Sequence, residues 1–311
     1  MSAQYIDGRA IAEDVLDEAA EERARLPEDN TPRLTSILIG DNPPAKAYMK
    51  QQARAADDTG IEYEALHLPG DISQQEMQDE IERLNRDEKV DGILLQVPTP
   101  EQIDTKEIQQ QIRWNKDVEG VHPTNMGKLV FGRYRIAPCT ALATQRVLKE
   151  VDMEIAGKEV TVIGHSEIVG KPIALMLLTF PATTTVCHVE TKDVKRHTKN
   201  SDIVVTAVGK PGFLTGDMLK EGAMVIDVGI SAVMEEDEQG NPITDDEGKP
   251  QKTLVGDLDV DSAESIASWI TPVPGGVGPI TVSMLMKNTV RCAQMHQETA
   301  ADLDGDNRAG S

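Results

Sequence analysis

Short runs of β-branched and aliphatic residues recur along this chain, and each is followed by a segment long enough for a helix. Arg33–Ile39, Ile61–Leu68 and Lys89–Val97 lead the first half. Glu159–Ile163, Thr184–Val189, Asp202–Val208 and Ala223–Val228 follow at intervals of roughly twenty residues. A strand that is apolar on both faces has to be covered on both faces. Strands alternating with helices therefore point to parallel sheets sandwiched by helices. The expected fold class is α/β in two domains, the second a doubly wound, Rossmann-type sheet beginning near Cys139. Helices are expected over Gly8–Leu26, over Ala45–Thr59 with a stop at Gly60, and from the capping box Ser73/Glu76 to about Asp87. Two more are expected over Pro138–Val151 and Pro279–Gln297. The polar, acidic stretch Met234–Thr253 reads as a surface hairpin or loop, and Ala300–Ser311 as an acidic tail outside regular structure.

Charge limits the partners. With 31 basic and 53 acidic residues the net charge is −22, so phosphate backbones and anionic lipid are repelled; neither nucleic acid nor a membrane is expected as a partner. Hydrophobic residues make up 39% and aromatics 3%, low enough to raise the question of disorder. The recurring apolar runs answer it, and a folded protein adapted to high salt is the better reading. Cys139, Cys187 and Cys292 are odd in number, widely spaced and without a C-x-x-C pair. That pattern fits a reducing cytoplasm and neither a disulfide framework nor a zinc site. The six histidines form no ligand cluster, so no metal is expected. Met1-Ser-Ala-Gln-Tyr5 has no signal-peptide character, and no apolar run approaches the ~20 residues of a membrane span.

The segment Val160-Thr-Val-Ile-Gly164-His-Ser166-Glu-Ile-Val-Gly170-Lys-Pro172 reads as strand, tight turn and helix start. Small residues let the backbone approach a pyrophosphate, and the helix N–H groups and dipole favour its charge. Pro172 suits a first helical turn. Ser166 replaces the second glycine of the usual fingerprint, and Gly164 to Gly170 is one residue longer than the usual span. The next strand ends in Cys187-His188-Val189-Glu190-Thr191-Lys192, where the ribose 2′ position is read. Glu190 suits the free hydroxyl of NAD, whereas Lys192 and Arg196 suit the phosphate of NADP; all three also suit a solvated loop.

Four further segments fix the comparison: Gly40-Asp-Asn-Pro-Pro-Ala-Lys-Ala-Tyr48, Asp91-Gly-Ile-Leu-Leu-Gln96-Val-Pro-Thr-Pro100, Lys116-Asp117-Val-Glu-Gly120-Val-His-Pro123 and Thr271-Pro-Val-Pro-Gly-Gly-Val-Gly278-Pro279. With the phosphate loop they resemble the FolD-type methylenetetrahydrofolate dehydrogenase/methenyltetrahydrofolate cyclohydrolase family, in order, from about Tyr5 to Gln297. The resemblance implies a folate-binding domain over residues 1–138 plus 279–297, a dinucleotide-binding domain over 139–278, and folate in the cleft between them. It implies a cytoplasmic homodimer in one-carbon metabolism that uses NADP, with NAD as the alternative. Tyr48, the residue at position 52, Gln96 and Asp117 would form the catalytic set, with Tyr48 stacking near the pterin and Asp117 gripping its donor edge. Pro272, Gly275, Gly276 and Val277 would close on the substrate. Gly164, His165, Ser166, Val169, Gly170, Val189, Glu190 and Ile230 would contact the dinucleotide.

The chain departs from the family pattern at two places. The family carries Y-x-x-x-K on a helix, with both side chains on one face. Here the lysine position is Gln52. Lys50 lies two residues from Tyr48, about 200° around a helix of 3.6 residues per turn, and should point away. Arg54 takes the following basic position. Hydride transfer mainly needs two carbons brought together. Water addition to the methenyl product also needs proton transfer, which a glutamine cannot supply by ionising. The expectation is dehydrogenase activity with weak or absent cyclohydrolase activity. The second departure is at His165 and Val189, where family members often carry residues suited to a 2′-phosphate; a weakened NADP preference follows.

Overall fold

A computed structural model describes residues 2–27, 30–151, 153–235, 242–244, 248 and 250–309, with side chains as far as Glu298. In chain order the elements are β1 (Gln4–Tyr5), α1 (Gly8–Ala24), β2 (Arg33–Ile39), α2 (Pro43–Thr59), β3 (Glu62–Leu68), α3 (Gln74–Arg86), β4 (Gly92–Leu95), α4 (Thr105–Gln111), α5 (Pro123–Val130) and α6 (Cys139–Glu150). They continue with β5 (Glu159–Ile163), α7 (Gly170–Leu177), β6 (Thr183–Cys187), α8 (Val194–Thr198), β7 (Ile203–Thr206), β8 (Met224–Asp227), β9 (Ser231–Met234), β10 (Lys252–Val255), α9 (Val260–Ala263), β11 (Trp269–Ile270) and α10 (Val277–Ala309). Two compact units result, residues 1–11 with 143–280 and residues 12–142 with 281–311.

The first unit holds a six-stranded sheet in the order β6-β5-β7-β8-β11-β1, parallel throughout. The chain runs from β5 to β6 on one side, then returns to β7 on the other. That reversal opens a crevice at the carboxyl ends of β5 and β7, where a doubly wound sheet binds its ligand. Ile163, Val204, Val225 and Ile270 fill its core together with Leu214, Leu219 and Leu258. β9 and β10 form a separate antiparallel ribbon at the two ends of the stretch expected to be a hairpin or loop. Residues 236–241, 245–247 and 249 of that stretch lie outside the described residues.

The second unit carries the parallel sheet β3-β2-β4. Ile37, Ile39, Met77, Ile81, Leu84, Ile93 and Ile108 pack on one another beneath α3 and α4. Burying each such side chain contributes ~1.5–3 kcal/mol before conformational entropy is counted. Ser73 and Glu76 form the capping box of α3, with both reciprocal bonds present. Asn42 caps α2 by accepting from Ala45 N, and Gly60 ends it at φ 68°. From α10, Asn288 donates to Val118 O and Ala137 O, and His296 Nδ1 lies 2.9 Å from Asp91 Oδ1. The last helix therefore belongs to this unit beyond Ile280.

Several boundaries differ from the sequence expectation. Residues 1–11 go with the dinucleotide-type unit, because Gln4–Tyr5 pairs in parallel with Trp269–Ile270. A two-residue edge strand has no periodicity to read. The strand expected over Lys89–Val97 shrinks to Gly92–Leu95. The buried Asp91 side chain takes Arg33 N, and Pro98 and Pro100 offer no N–H to extend the ladder. The final helix starts at Val277, which puts Pro279 in its first turn, and runs through the expected tail to Ala309. Gly310 and Ser311 lie outside the described residues.

Candidate active site

In the second unit, α2 sets the i, i+4 pair Tyr48 and Gln52 toward the sheet. Lys50 and Arg54 on the same helix are exposed, while Gln52 is completely buried. Gln52 Oε1 accepts three hydrogen bonds: from Ser36 Oγ on β2 at 3.1 Å, from Tyr63 OH on β3 at 2.9 Å and from Gln96 Nε2 at 3.1 Å. Gln96 Nε2 also donates to Ser36 Oγ at 2.8 Å. Gln96 is held at the end of β4 by its own backbone, which donates to Ile37 O. Gln52 Nε2 is buried and has no hydrogen-bond partner among the described residues. A buried amide donor left open costs ~1–3 kcal/mol, which is a reason to expect a ligand oxygen or a water nearby. Burial first, then Cys139 and Glu119, push the half-buried Tyr48 phenol far above its usual range, with the Gln52 side chain opposing. Tyr48 is therefore a neutral ring and hydroxyl at any working pH.

Asp117 has a different role from the one expected. Its carboxylate is 2% exposed. Oδ1 accepts from Gly120 N, and Oδ2 accepts from His122 N and Asn125 Nδ2. Burial raises its pKa while these donors hold it down. Asp117 thus ties its own loop together and has no free edge for a ligand. Two residues on, Glu119 is half-buried, and among the described residues its carboxylate has no hydrogen-bond partner. Burial and the neighbouring Asp117 charge push it up to about 7. Of the two acids in Lys-Asp-Val-Glu-Gly, Glu119 is the one whose carboxylate the loop does not consume. The sequence reading named Asp117 alone, with a turn residue as the alternative, and did not single out Glu119. Ser36 and Tyr63 were also missed. A serine inside the apolar run Leu34–Ile39 was the available signal, since a buried hydroxyl needs a partner.

In the first unit, Gly164 follows β5 at φ +108°, and a Cβ there would lie 2.3 Å from Ala207 O at the end of β7. Only glycine allows the two strand ends to approach this closely. Ser166 Oγ accepts from Gly170 N at 3.3 Å, closing the turn into α7. Val169, at the N-cap, makes no side-chain cap bond, but Gly170 N and Lys171 N are taken by Ser166 Oγ and Ser166 O and Pro172 has no N–H, so what this helix start offers an anion is the positive end of its dipole and the backbone of the turn before it. His165 stacks on His188 with ring centroids 4.2 Å apart, and His188 Nδ1 accepts from Glu190 N. These contacts gather the loop after β5 and the end of β6 at one edge of the crevice. Val189 is half-buried and Glu190 exposed; Ile230, beyond β8, is 62% exposed. Behind it, Asp227 accepts from Gly229 N, Asp257 N and Leu258 N, and burial raises its pKa to about 6. Asp257 in turn accepts from Thr206 Oγ1, Val208 N and Lys210 N. This aspartate pair, which the sequence reading did not single out, fixes the loops beyond β7 and β8. Pro272, Gly275 and Gly276 belong to the turn before α10 and Val277 opens that helix, with Gly275 at φ +104°.

A doubly wound sheet with a tight glycine turn between β5 and α7, in a chain whose other unit carries a buried amide–hydroxyl cluster, defines an α/β protein of the dinucleotide-binding class. Comparison with known proteins narrows this. Residues 6–119 match the catalytic domain of tetrahydrofolate dehydrogenase/cyclohydrolase, and residues 138–297 its NAD(P)-binding domain. The chain belongs to the tetrahydrofolate dehydrogenase/cyclohydrolase family. It is 44% identical to the bifunctional protein FolD of Moorella thermoacetica over 94% of this chain and all of that one. Among solved structures, the bifunctional FolD enzyme of Campylobacter jejuni is 38% identical with a TM-score of 0.84, covering 94% of this chain and 99% of that one. The Trypanosoma brucei FolD structure, complexed with NADP cofactor and inhibitor, is 37% identical with a TM-score of 0.86, covering 95% of this chain and 98% of that one.

Proposed function

We propose that this protein oxidises 5,10-methylenetetrahydrofolate with NADP as hydride acceptor, in one-carbon metabolism, and hydrolyses the methenyl product poorly. The observation that carries the reading is the Ser36–Gln52–Tyr63–Gln96 cluster beside Tyr48, in a chain of this family. Tyr48 offers an aromatic face to the pterin and aminobenzoyl rings. Glu119, in place of Asp117, meets the pterin's amino and ring N–H donors, as an ionised carboxylate suits two adjacent donors. Gln96 and Gln52 hold the reacting end by hydrogen bonds. The nicotinamide, when bound, supplies the hydride-accepting carbon. The first unit fits that group: Gly164 allows close backbone approach, and the turn over residues 165–169 leads into the positive end of the α7 dipole, which favours anionic oxygens.

Positioning is sufficient for hydride transfer, because the folate nitrogens stabilise the cation left behind. Proton transfer to and from water is another matter. Gln52 cannot ionise, Lys50 and Arg54 face solvent, and Tyr48 is locked in its neutral form. His165 and Val189 offer a 2′-phosphate less than arginine and serine would, so the NADP preference is modest, below about a hundredfold, or ~2.7 kcal/mol. A homodimer in the cytoplasm fits the family resemblance; among the described residues no helix is long and apolar enough to cross a membrane. The test is reduction of NADP and of NAD by purified protein with methylenetetrahydrofolate in molar salt. Turnover with NADP is expected; turnover with neither cofactor would overturn the reading.

A further inference from the structure

Asp227 and Asp257 are buried carboxylates of the first unit, 3% and 0% exposed. Among the described residues neither has a lysine or arginine partner; backbone N–H groups and one hydroxyl hold them instead. Burial, and then the neighbouring Asp257 charge, oppose ionisation of Asp227. Two such charges without a cation cost the fold stability. A cost of that kind is kept where function needs the geometry it fixes.

That geometry lies at the carboxyl ends of β7 and β8. Asp257 Oδ2 accepts from Val208 N at 2.7 Å and Thr206 Oγ1 at 3.1 Å, and Oδ1 accepts from Lys210 N at 2.8 Å, so this residue holds the loop after β7. Asp227 Oδ1 accepts from Gly229 N at 2.9 Å and Asp257 N at 3.1 Å, and Oδ2 accepts from Leu258 N at 2.8 Å. It therefore holds the loop after β8 and the backbone of the other aspartate. Two glycines let the pair close: a Cβ on Gly229 would lie 2.2 Å from Asp257 Cγ, and one on Gly256 would lie 2.0 Å from Asp227 Oδ2. Thr271 Oγ1 accepts from Asp227 N at 2.7 Å and ties the bracket to the end of β11.

The loop after β7 begins against the glycine turn of the crevice, since a Cβ on Gly164 would lie 2.3 Å from Ala207 O. The adenosine ribose is read at the end of β6, on the far side of β5. A dinucleotide crossing the crevice from there carries its nicotinamide half over the ends of β7 and β8. Residues 208–210 and 229–230 lie at those ends, with the Ile230 side chain 62% exposed. We propose that Asp227 and Asp257 are positioning residues for the nicotinamide half of NADP: they preset the loops after β7 and β8 before the cofactor arrives and leave the adenosine half unaffected. The proposal rests on the NADP reading and deepens it. Support of this kind, from groups behind those that meet the ligand, is what holds a binding site to its geometry.

The test compares, by titration calorimetry in molar KCl, the binding of NADP with that of adenosine 2′,5′-bisphosphate, its adenosine half alone. Asp257→Asn turns an amide NH2 toward a backbone N–H that the carboxylate now accepts. The Kd for NADP should rise about tenfold, while the Kd for the bisphosphate stays within about twofold. Asp227→Asn should show the same split. Hydrogen exchange on wild type is the second measurement. The amides of Val208, Lys210, Gly229 and Leu258 should exchange slowly without ligand, and NADP, but not the bisphosphate, should add protection at Ile230. Melts show whether each variant is folded; where neither is, the exchange result on wild type decides. Equal weakening of the two ligands, undiminished NADP binding in both variants, or amides protected only once NADP is bound would overturn the proposal. If wild type binds neither ligand, the cofactor reading falls and this proposal with it.

Discussion

Replacing Gln52 by lysine puts an ammonium where three donors now converge on one amide oxygen. The site is completely buried, and Ser36 Oγ, Tyr63 OH and Gln96 Nε2 all point at Gln52 Oε1. Lysine accepts nothing, so each donor must turn. The two hydroxyls can rotate and accept from Nζ, and the Gln96 amide can present its oxygen instead. One donor failing to re-pair costs ~1–3 kcal/mol, and that is the expected loss of stability in Gln52→Lys. Burial also lowers the pKa of a lysine held there, toward the range useful for proton transfer. Such a group typically contributes ~10²–10⁴-fold, so Gln52→Lys should hydrolyse methenyltetrahydrofolate faster than wild type by at least the lower figure. Gln52→Met keeps the volume, strands all three donors and brings no titratable group; it should be destabilised without gaining hydrolysis. Thermal or denaturant melts give the stability, and loss of the methenyl absorbance gives the rate. Hydrolysis by wild type as fast as by Gln52→Lys, or a gain shared by Gln52→Met, would refute the reasoning.

Three other outcomes follow from the same geometry. Glu119 titrates near 7 in the free protein, and its ionised form is the one that meets pterin donors. The folate KM should therefore rise as pH falls below about 7, and Glu119→Gln should flatten that limb. Between pH 4.5 and about 7 the unfolded chain has already lost a proton that native Glu119 keeps, so this group makes stability fall as pH rises; melts of Glu119→Gln should lack that slope. With a net charge of −22, the melting temperature should climb from low to molar KCl as carboxylate repulsion is screened; a flat or falling trend would contradict the high-salt reading.

Most of the fold could be read from periodicity. Arg33–Ile39 and Glu159–Ile163 are strands at their expected bounds, and Asn42, Gly60, Ser73 and Glu76 punctuate helices as their chemistry requires. What periodicity could not show was partnership. The two-residue strand Gln4–Tyr5 exists only because Trp269–Ile270 offers it an edge. Gly8 looks like an ordinary helix start until Gly276 is seen against it. In the candidate site, Tyr48 and Gln52 came from the family pattern, with helix spacing placing them on one face, and Gln96 from that pattern and from being a polar residue ending a buried strand. Asp117 was named and Glu119 passed over, because which carboxylate the loop consumes depends on Gly120, His122 and Asn125 folding back on it. His165 and Val189 stood out only against the family pattern, and the His165–His188 stack has no sequence signature.

The product formed from methylenetetrahydrofolate and NADP tests the central claim most directly. NADPH and methenyltetrahydrofolate should appear in step, with the methenyl absorbance persisting and decaying only at its uncatalysed rate, because nothing at Gln52 can take or give a proton. NADPH formed without lasting methenyltetrahydrofolate, with formyltetrahydrofolate appearing at the same rate, would show that this chain completes both reactions through groups other than the residue at position 52.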